Sequence, residues 1–489
     1  MENKIRLRFA PSPTGFLHIG SLRTVLFSYI IAKKLKGKLI LRIEDTDQKR
    51  EVRGATESLV KILDWVGLEF DEGPHIGGNF GPYIQTERLD IYNKNIEKLL
   101  KEKRVYRCFC SFERLQDMRE KQQAEKLPPR YDRTCRDLSD EEINKKIKND
   151  EKFVIRQAMP LSGETVALDE IRGKIKFKNA ELDDHVLIKS NGIPTYQFAS
   201  VVDDHIMEIS HVTRAEEWIP SFPKNILLYQ AFGWKAPKFI HYPFIANKEG
   251  GKLSKRQGDV AVEDFRDKGY LPEALINFCG LLGWHPKDDN EILSLDEIIA
   301  KFELGDMGAK PAIFDIEKLG YFNGYYIRHK PIDDLVKLCR PYLEENIELT
   351  KNQKKKEDEF IKKVVAIEQE RLKKISDITE ATKFFFVDDL NYEKDILAWR
   401  KMSAKEAQVN LSIVYKLLEK IPEENWTNDS IEDGLMTYLQ AKELRVGEYL
   451  WPMRVALCGQ KASPGPFDIA EILGKSETMK RIEKSINLN

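Results

Sequence analysis

The chain has 489 residues, more than one hydrophobic core of about 250–300 residues organises, so several domains are expected. Hydrophobic content of 42% and charged content of 33% exclude extensive disorder, while a formal net charge of −1 excludes a uniformly basic nucleic-acid coat and confines any RNA contact to local basic faces. Six cysteines are too few for a disulfide scaffold, no run approaches about 20 apolar residues, and the first residues lack the apolar core of a signal peptide, so a cytoplasmic protein without membrane contact is expected.

Lys4–Phe9 alternates strictly, which predicts a strand with Ile5, Leu7 and Phe9 on one face and Lys4, Arg6 and Arg8 on the other. It runs into a Pro/Gly-punctuated loop, Ala10-Pro-Ser-Pro-Thr-Gly-Phe-Leu-His-Ile-Gly-Ser21, that delivers His18 and Gly20 to the start of a helix over 22–34. The unpaired amides and positive dipole end of such a helix attract phosphate. Gly20 permits close approach and His18 adds a directional donor, so the loop reads as half of an ATP site. A second strand, Lys38–Ile43, ends in Glu44-Asp45. Strand, loop, helix and strand open a βαβ unit, beyond whose strand ends Arg8, Ser12, His18 and Glu44 converge. In the acidic run 44–47 only Glu44 is given a role, the others reading as solvated.

Charged helices follow at 87–104 and 112–126, and a capping box at Ser139 and Glu142 opens a third. Strands are expected near Phe153 and at His185–Lys189, with Asn191-Gly192 signalling a hairpin. Residues 84–191 read as an insertion between two halves of a nucleotide-binding domain, 1–83 and 192–247. The basic face of Lys101, Lys103, Arg104 and Arg107 reads as solvated, with nucleic-acid contact as its alternative. Asp203-Asp204-His205 has metal-ligand residue types but reads as a strand-end turn. A strand over Phe239–Ile245 feeds a Gly-rich loop, Glu249-Gly-Gly-Lys-Leu-Ser-Lys-Arg256, whose Lys252 and Lys255 are suited to charge developing on a reacting phosphate. Beyond about residue 330 the chain is helical, with apolar stripes at Phe360, Val364 and Ile367 and at Val409, Ile413 and Leu417. Lys354–Lys356 reads as a solvated helix face.

The two loops, together with Arg42-Ile-Glu-Asp-Thr-Asp47, Arg214-Ala-Glu-Glu-Trp218 and Pro272-Glu-Ala274, resemble the bacterial-type glutamyl-tRNA synthetases, class I aminoacyl-tRNA synthetases, over essentially the whole chain. Ser21 stands where the His-Ile-Gly-His motif ends in histidine. The resemblance implies an α/β fold: a Rossmann-like parallel-sheet catalytic domain, an α+β insertion that binds the tRNA acceptor end, a lysine-motif and stem-contact region at 248–330, and an all-α anticodon-binding region at 331–489. It implies that glutamate attacks the α-phosphate of Mg·ATP, that the acyl group then passes to the terminal ribose of tRNA, and that bound tRNA is needed for the first step. His18, Lys252 and Lys255 would be catalytic, with Gly20, Ser21 and Ser254 also against ATP. Arg8, Ala10, Ser12, Glu44, Tyr196 and Arg214 would hold glutamate, the guanidiniums on carboxylates and Glu44 on the ammonium. Trp218 is given to packing, and Ser200, where the family has asparagine, to no contact.

The resemblance further implies a monomer, and either tRNA(Glu) alone or tRNA(Glu) and tRNA(Gln) as acceptors. One structural Zn2+ would sit on Cys108, Cys110, Cys135 and Asp137, Asp137 standing where similar synthetases have histidine; the alternative is three reduced buried thiols. Two other functions were weighed. A paralogue that glutamylates a base within tRNA would lack the helical end at 331–489, and a non-catalytic RNA-binding paralogue would have lost His18, Lys252 and Lys255.

Overall fold

Residues 4–48, 52–253, 260–346 and 357–488 are described by the structure, a computed structural model of the chain. They divide into two compact units, 1–266 with 272–316 and 267–271 with 317–489. Ser254, Lys255 and Lys354–Lys356 lie outside the described residues.

The first unit opens with the expected βαβ arrangement, β1 (Arg6–Phe9), α1 (Ile19–Lys34) and β2 (Lys38–Leu41), followed by α2 (Ala55–Trp65). Next come α3 (Leu89–Lys101), β3 (Val105–Cys108), α4 (Phe112–Ala124), α5 (Asp140–Lys148), β4 (Val154–Gln157), β5 (Glu164–Asp169), β6 (Gly173–Lys178) and β7 (Val186–Ile188). Then follow α6 (Tyr196–Ile206), β8 (His211–Ala215), α7 (Phe222–Phe232), β9 (Lys238–Tyr242), β10 (Ile245–Ala246), α8 (Val262–Asp267), α9 (Pro272–Gly280), α10 (Leu295–Lys301) and β11 (Ala312–Ile313). The capping box at Ser139 and Glu142 forms, with Ser139 accepting from the Glu142 amide and Glu142 from the Ser139 amide.

Six strands make the main sheet in the order β2, β1, β8, β9, β5, β6, all neighbours parallel except the β5–β6 hairpin. β1 connects to β2 on one side and has β8 on the other, so strand order reverses at β1. In open α/β sheets that is where a crevice forms beyond the carboxyl ends of the strands. β5 and β6, expected inside the insertion, hydrogen bond into this sheet, while β3, β4 and β7 form a separate antiparallel sheet.

Several local expectations are corrected. Arg6 and Arg8 are buried instead of lying on a polar face, because β1 is an interior strand with acids brought to it from distant segments; Arg6 Nη1 meets Glu72 Oε1 at 2.9 Å. Glu44 and Asp45 are buried too, Asp45 accepting from the Thr86 amide at 2.9 Å. Asn191-Gly192 does turn the chain, with Gly192 at φ 81°, but the return is a single bridge from Pro194 to Ile188 before α6 begins. Asp203, Asp204 and His205 lie within α6 and not on a strand-end turn.

The second unit is helical: α11 (Ile316–Arg328), α12 (Ile332–Asn346), α13 (Glu357–Glu368), α14 (Ile378–Thr382), α15 (Ala404–Glu419), α16 (Asn428–Ala441), α17 (Gly447–Cys458), α18 (Pro466–Leu473) and α19 (Lys475–Ile486). In α13 Val364 is buried as expected, with Phe360 and Ile367 half-buried, and Ile361, Val365 and Glu368 complete the seam. In α15 it is Ala407, Leu411, Val414 and Leu418, and Val409 faces solvent. Val409 lies two residues from both Ala407 and Leu411, about 160° around a 3.6-residue helix, so the expected α15 stripe begins on the opposite face.

Candidate active site

His18 caps α1: its extended backbone leaves the helix to start at Ile19, and its Nδ1 accepts from the Gly20 amide at 2.9 Å. A Cβ at Gly20 would come within 3.1 Å of that nitrogen, so the glycine keeps room for the imidazole. The Ser21 amide donates to the His18 carbonyl at 2.8 Å, and Ser21 is half-buried in the first turn. The lysine segment is tied to the same place from both flanks. On one, Leu253 donates to Ile245 O at 2.9 Å and Lys252 bridges to Ala246. On the other, Ile19 donates to Val260 O and Val262 to Leu17 O, both at 2.8 Å. Arg23, buried in α1, donates to the Pro243 carbonyl ahead of that segment. The expected catalytic elements, more than 230 residues apart in sequence, are thereby adjacent. Lys252 is exposed and paired with Glu217.

Arg8, Glu44 and Arg214 are all buried. Arg8 donates through Nε to Asp204 Oδ1 at 3.1 Å and through Nη1 to the Thr213 carbonyl at 3.3 Å. Burial works most strongly against its charge, but Asp204, Tyr196 and Glu44 together hold the guanidinium above its ordinary range. Glu44 Oε1 accepts from Arg42 Nη2 at 2.9 Å and from Gln85 Nε2 at 3.3 Å, while Oε2 has no hydrogen-bond partner among the described residues. Burial pushes the Glu44 carboxyl up to about 7 despite Arg42 and Arg8. Arg214 has no carboxylate partner among the described residues. Its Nη2 donates to Asn225 Oδ1 at 3.4 Å and Tyr196 adds a side-chain hydrogen bond, its Nε is buried without a partner among the described residues, and its guanidinium lies 5.0 Å from the Phe239 ring centroid. Burial lowers its affinity for the proton. Tyr196 begins α6 with its ring 4.6 Å from that of Trp218, Ala10 is half-buried and Ser12 exposed.

Sequence reasoning missed the layer behind these groups. Arg42, Asp203 and Asp204 are buried, and Asp203 gathers Arg88 Nε at 2.8 Å, Tyr92 Oη at 2.8 Å and Gln85 Nε2 at 3.0 Å. The paired aspartates were the available signal; their helical setting could not be read locally. Tyr229 on α7 has a buried hydroxyl without a hydrogen-bond partner among the described residues, pushed up by burial and by Asp204.

In the insertion, Cys108, Cys110 and Cys135 bring their sulfurs within 4.8 Å of one another. Asp137 does not join them: it lies exposed on the segment leading to α5. The group at the fourth position is the Tyr131 hydroxyl, 3.3 Å from both Cys108 Sγ and Cys110 Sγ. Arg156 covers that ring at 4.0 Å. Of the basic face, Lys101, Lys103 and Arg104 are exposed, and Arg107 packs over Phe153.

Comparison with known proteins places the chain in a family. Residues 4–321 match the family model for class I tRNA synthetases (E and Q), catalytic domain, and residues 334–486 match an anticodon binding domain. The fold and the nucleotide-binding loop thus define a class I aminoacyl-tRNA synthetase, an enzyme that uses ATP. A glutamate–tRNA ligase of Clostridium botulinum (strain Hall) is 45% identical over 490 residues, covering 100% of this chain and 99% of its own, and that of Moorella thermoacetica is 40% identical over 483 residues, covering 99% and 98%. A crystal structure of a glutamate tRNA ligase from Elizabethkingia meningosepticum, in complex with its amino acid, superposes with a TM-score of 0.89 at 37% identity over 99% of both chains. The chain belongs to the glutamate–tRNA ligases and joins glutamate to tRNA.

Proposed function

We propose that glutamate binds between Arg214, Arg8 and Glu44, with its carboxylates on the two guanidiniums and its ammonium on Glu44 Oε2. The observation that carries this is a pair of unmet charges: a buried guanidinium with no carboxylate and a buried carboxylate oxygen with no donor, each costly until a partner of opposite sign arrives. Tyr196 and Ser12 supply hydroxyls and Ala10 a wall. His18, Gly20 and Ser21 receive ATP at the start of α1, and Lys252, Ser254 and Lys255 act on its phosphates. Mg2+ enters with ATP as part of the substrate. Glutamate, held in line, attacks the α-phosphate; pyrophosphate leaves with its charge met by His18 and the lysines, and the adenylate then yields its acyl group to a tRNA ribose hydroxyl. No covalent enzyme intermediate is needed.

The insertion serves the acceptor end and residues 331–489 the anticodon, in a monomer that works in the cytoplasm. No helix among the described residues is long and apolar enough to cross a membrane. The direct test is charging of purified tRNA(Glu) and tRNA(Gln) with labelled glutamate. Charging of tRNA(Glu) is expected, tRNA(Gln) decides whether the enzyme discriminates, and no charging of either overturns the reading. Glutamate-dependent pyrophosphate exchange is expected to require tRNA, and strong exchange without it would refute that dependence.

Three thiols and a phenol converging at zinc-ligand separations fit one Zn2+, held by Cys108, Cys110 and Cys135 with Tyr131 in the place expected of Asp137. The metal would tie the two ends of a charged segment and contribute stability, not chemistry. Elemental analysis of protein purified without chelator checks this: less than about a tenth of an equivalent in fully active enzyme eliminates the site.

A further inference from the structure

The paired aspartates of α6 have no part in the chemistry above, yet one of them is bonded to one charged end of the proposed amino-acid pocket and linked through Arg42 to the other. Helix α6 presents Tyr196, Ser200 and Asp204 at four-residue steps, and Asp204 is buried. Its Oδ1 accepts from Arg8 Nε at 3.1 Å and lies 2.8 Å from Arg42 Nη1. Arg42 in turn holds Glu44 Oε1 through Nη2 at 2.9 Å. A single carboxylate oxygen therefore fixes Arg8 directly and Glu44 through one intervening guanidinium. Without it Arg8 would keep only the Thr213 carbonyl and would face Arg42 as a like charge, and the rotatable stems of Arg8 and Glu44 would leave their separation undetermined.

We infer that Asp204 is a positioning residue for substrate selection: it sets the separation between the group that holds a carboxylate and the group that holds the ammonium. The inference rests on the assignment of Arg8 and Glu44 as glutamate contacts. Asp204 touches neither glutamate nor ATP; it acts through the two arginines. A counter-ion with only a structural task would change stability while leaving the affinities for both substrates alone. A positioning residue changes one of them selectively.

Aminoacylation of tRNA(Glu) by the full-length enzyme, varying glutamate at saturating ATP and then the reverse, separates these cases for wild type, Asp204→Asn, Asp204→Glu and Arg8→Lys. Asp204→Asn is expected to raise KM for glutamate about tenfold or more, with KM for ATP within about twofold and kcat within about threefold of wild type. Asp204→Glu, which keeps the charge but moves it by one methylene, is expected to fall between the two. A glutamate KM within about twofold of wild type, or glutamate and ATP KM values rising together, overturns the inference. If Asp204→Asn does not fold, Asp204→Glu decides alone by the same criterion, since it preserves the counter-ion. Arg8→Lys distinguishes the two levels of the argument: an unchanged glutamate KM there refutes the pocket assignment, whereas a raised one beside unaffected Asp204 variants refutes only the role of Asp204.

Discussion

The charges placed for the amino acid and those placed for phosphate differ most in their access to water. Arg8 and Arg214 are 4% and 5% exposed, whereas the side chain of Lys252 is 61% exposed. A buried guanidinium is tolerated only when something of opposite charge stands beside it, and the pocket meets this condition unevenly. Arg8 has Asp204. Arg214 has an amide oxygen, the Tyr196 hydroxyl and an aromatic face but no carboxylate among the described residues, and on the proposed assignment is left for that of the substrate. Lys252 costs little where it is, because a solvated pair with Glu217 is worth little either way. On the proposed assignment its contribution is made on the reacting phosphate, so that selection is built into the folded ground state and rate acceleration is not.

The largest expected effect tests the selective side. Arg214→Lys keeps the charge but loses the fork, and is expected to lower kcat/KM for glutamate about a thousandfold with KM for ATP unchanged. Equal kcat/KM for glutamate would remove Arg214 from the pocket. On the other side, Lys252→Ala should slow adenylate formation in single turnovers about a hundredfold while leaving thermal stability and glutamate KM where they were. A loss of stability or of glutamate affinity would break the division between the two regions.

A smaller effect sharpens it through pH. Glu44, raised by burial to about 7, is protonated in part of the free enzyme at neutral pH, and only its ionised form attracts an ammonium. Raising the pH through 7 ionises it, so KM for glutamate should fall across that window, and binding should release a proton because the ammonium draws the carboxyl back down. Glu44→Gln should flatten this dependence. A wild-type KM for glutamate that is level between pH 6 and about 8 would count against Glu44 as the ammonium contact.

How much of this was legible in the sequence follows the same divide. The loop around His18, the lysine segment and the βαβ opening are local patterns, and the structure places the two loops together. The place of Arg8 just before the loop marks it as functional, but alternation alone puts it on the polar face of the strand. Only the sheet order, which puts β8 beside β1, and the helix carrying Asp204 show it to be buried. Asp203-Asp204 illustrates the limit: two acids in sequence say nothing of the three arginines, tyrosine and glutamine that meet them. The cysteines are legible by spacing as a cluster, but the Tyr131 hydroxyl beside them is not, because Tyr131 reaches them across a fold of the chain whereas Asp137 merely follows in sequence. In α15 the large side chain of Val409 drew the stripe to the wrong face, and the seam through the small Ala407 was passed over.

The claim that Arg214 is held for substrate at a cost to the empty enzyme is tested most directly by Arg214→Met, measuring thermal unfolding without ligands and glutamate-dependent charging on the same preparation. The account predicts opposite directions: a melting temperature about 1–3 °C above wild type, as an unpaired buried charge gives way to a thioether packed on Phe239, together with loss of glutamate use. A variant that melts lower than wild type, or that still charges tRNA at low glutamate, would contradict it.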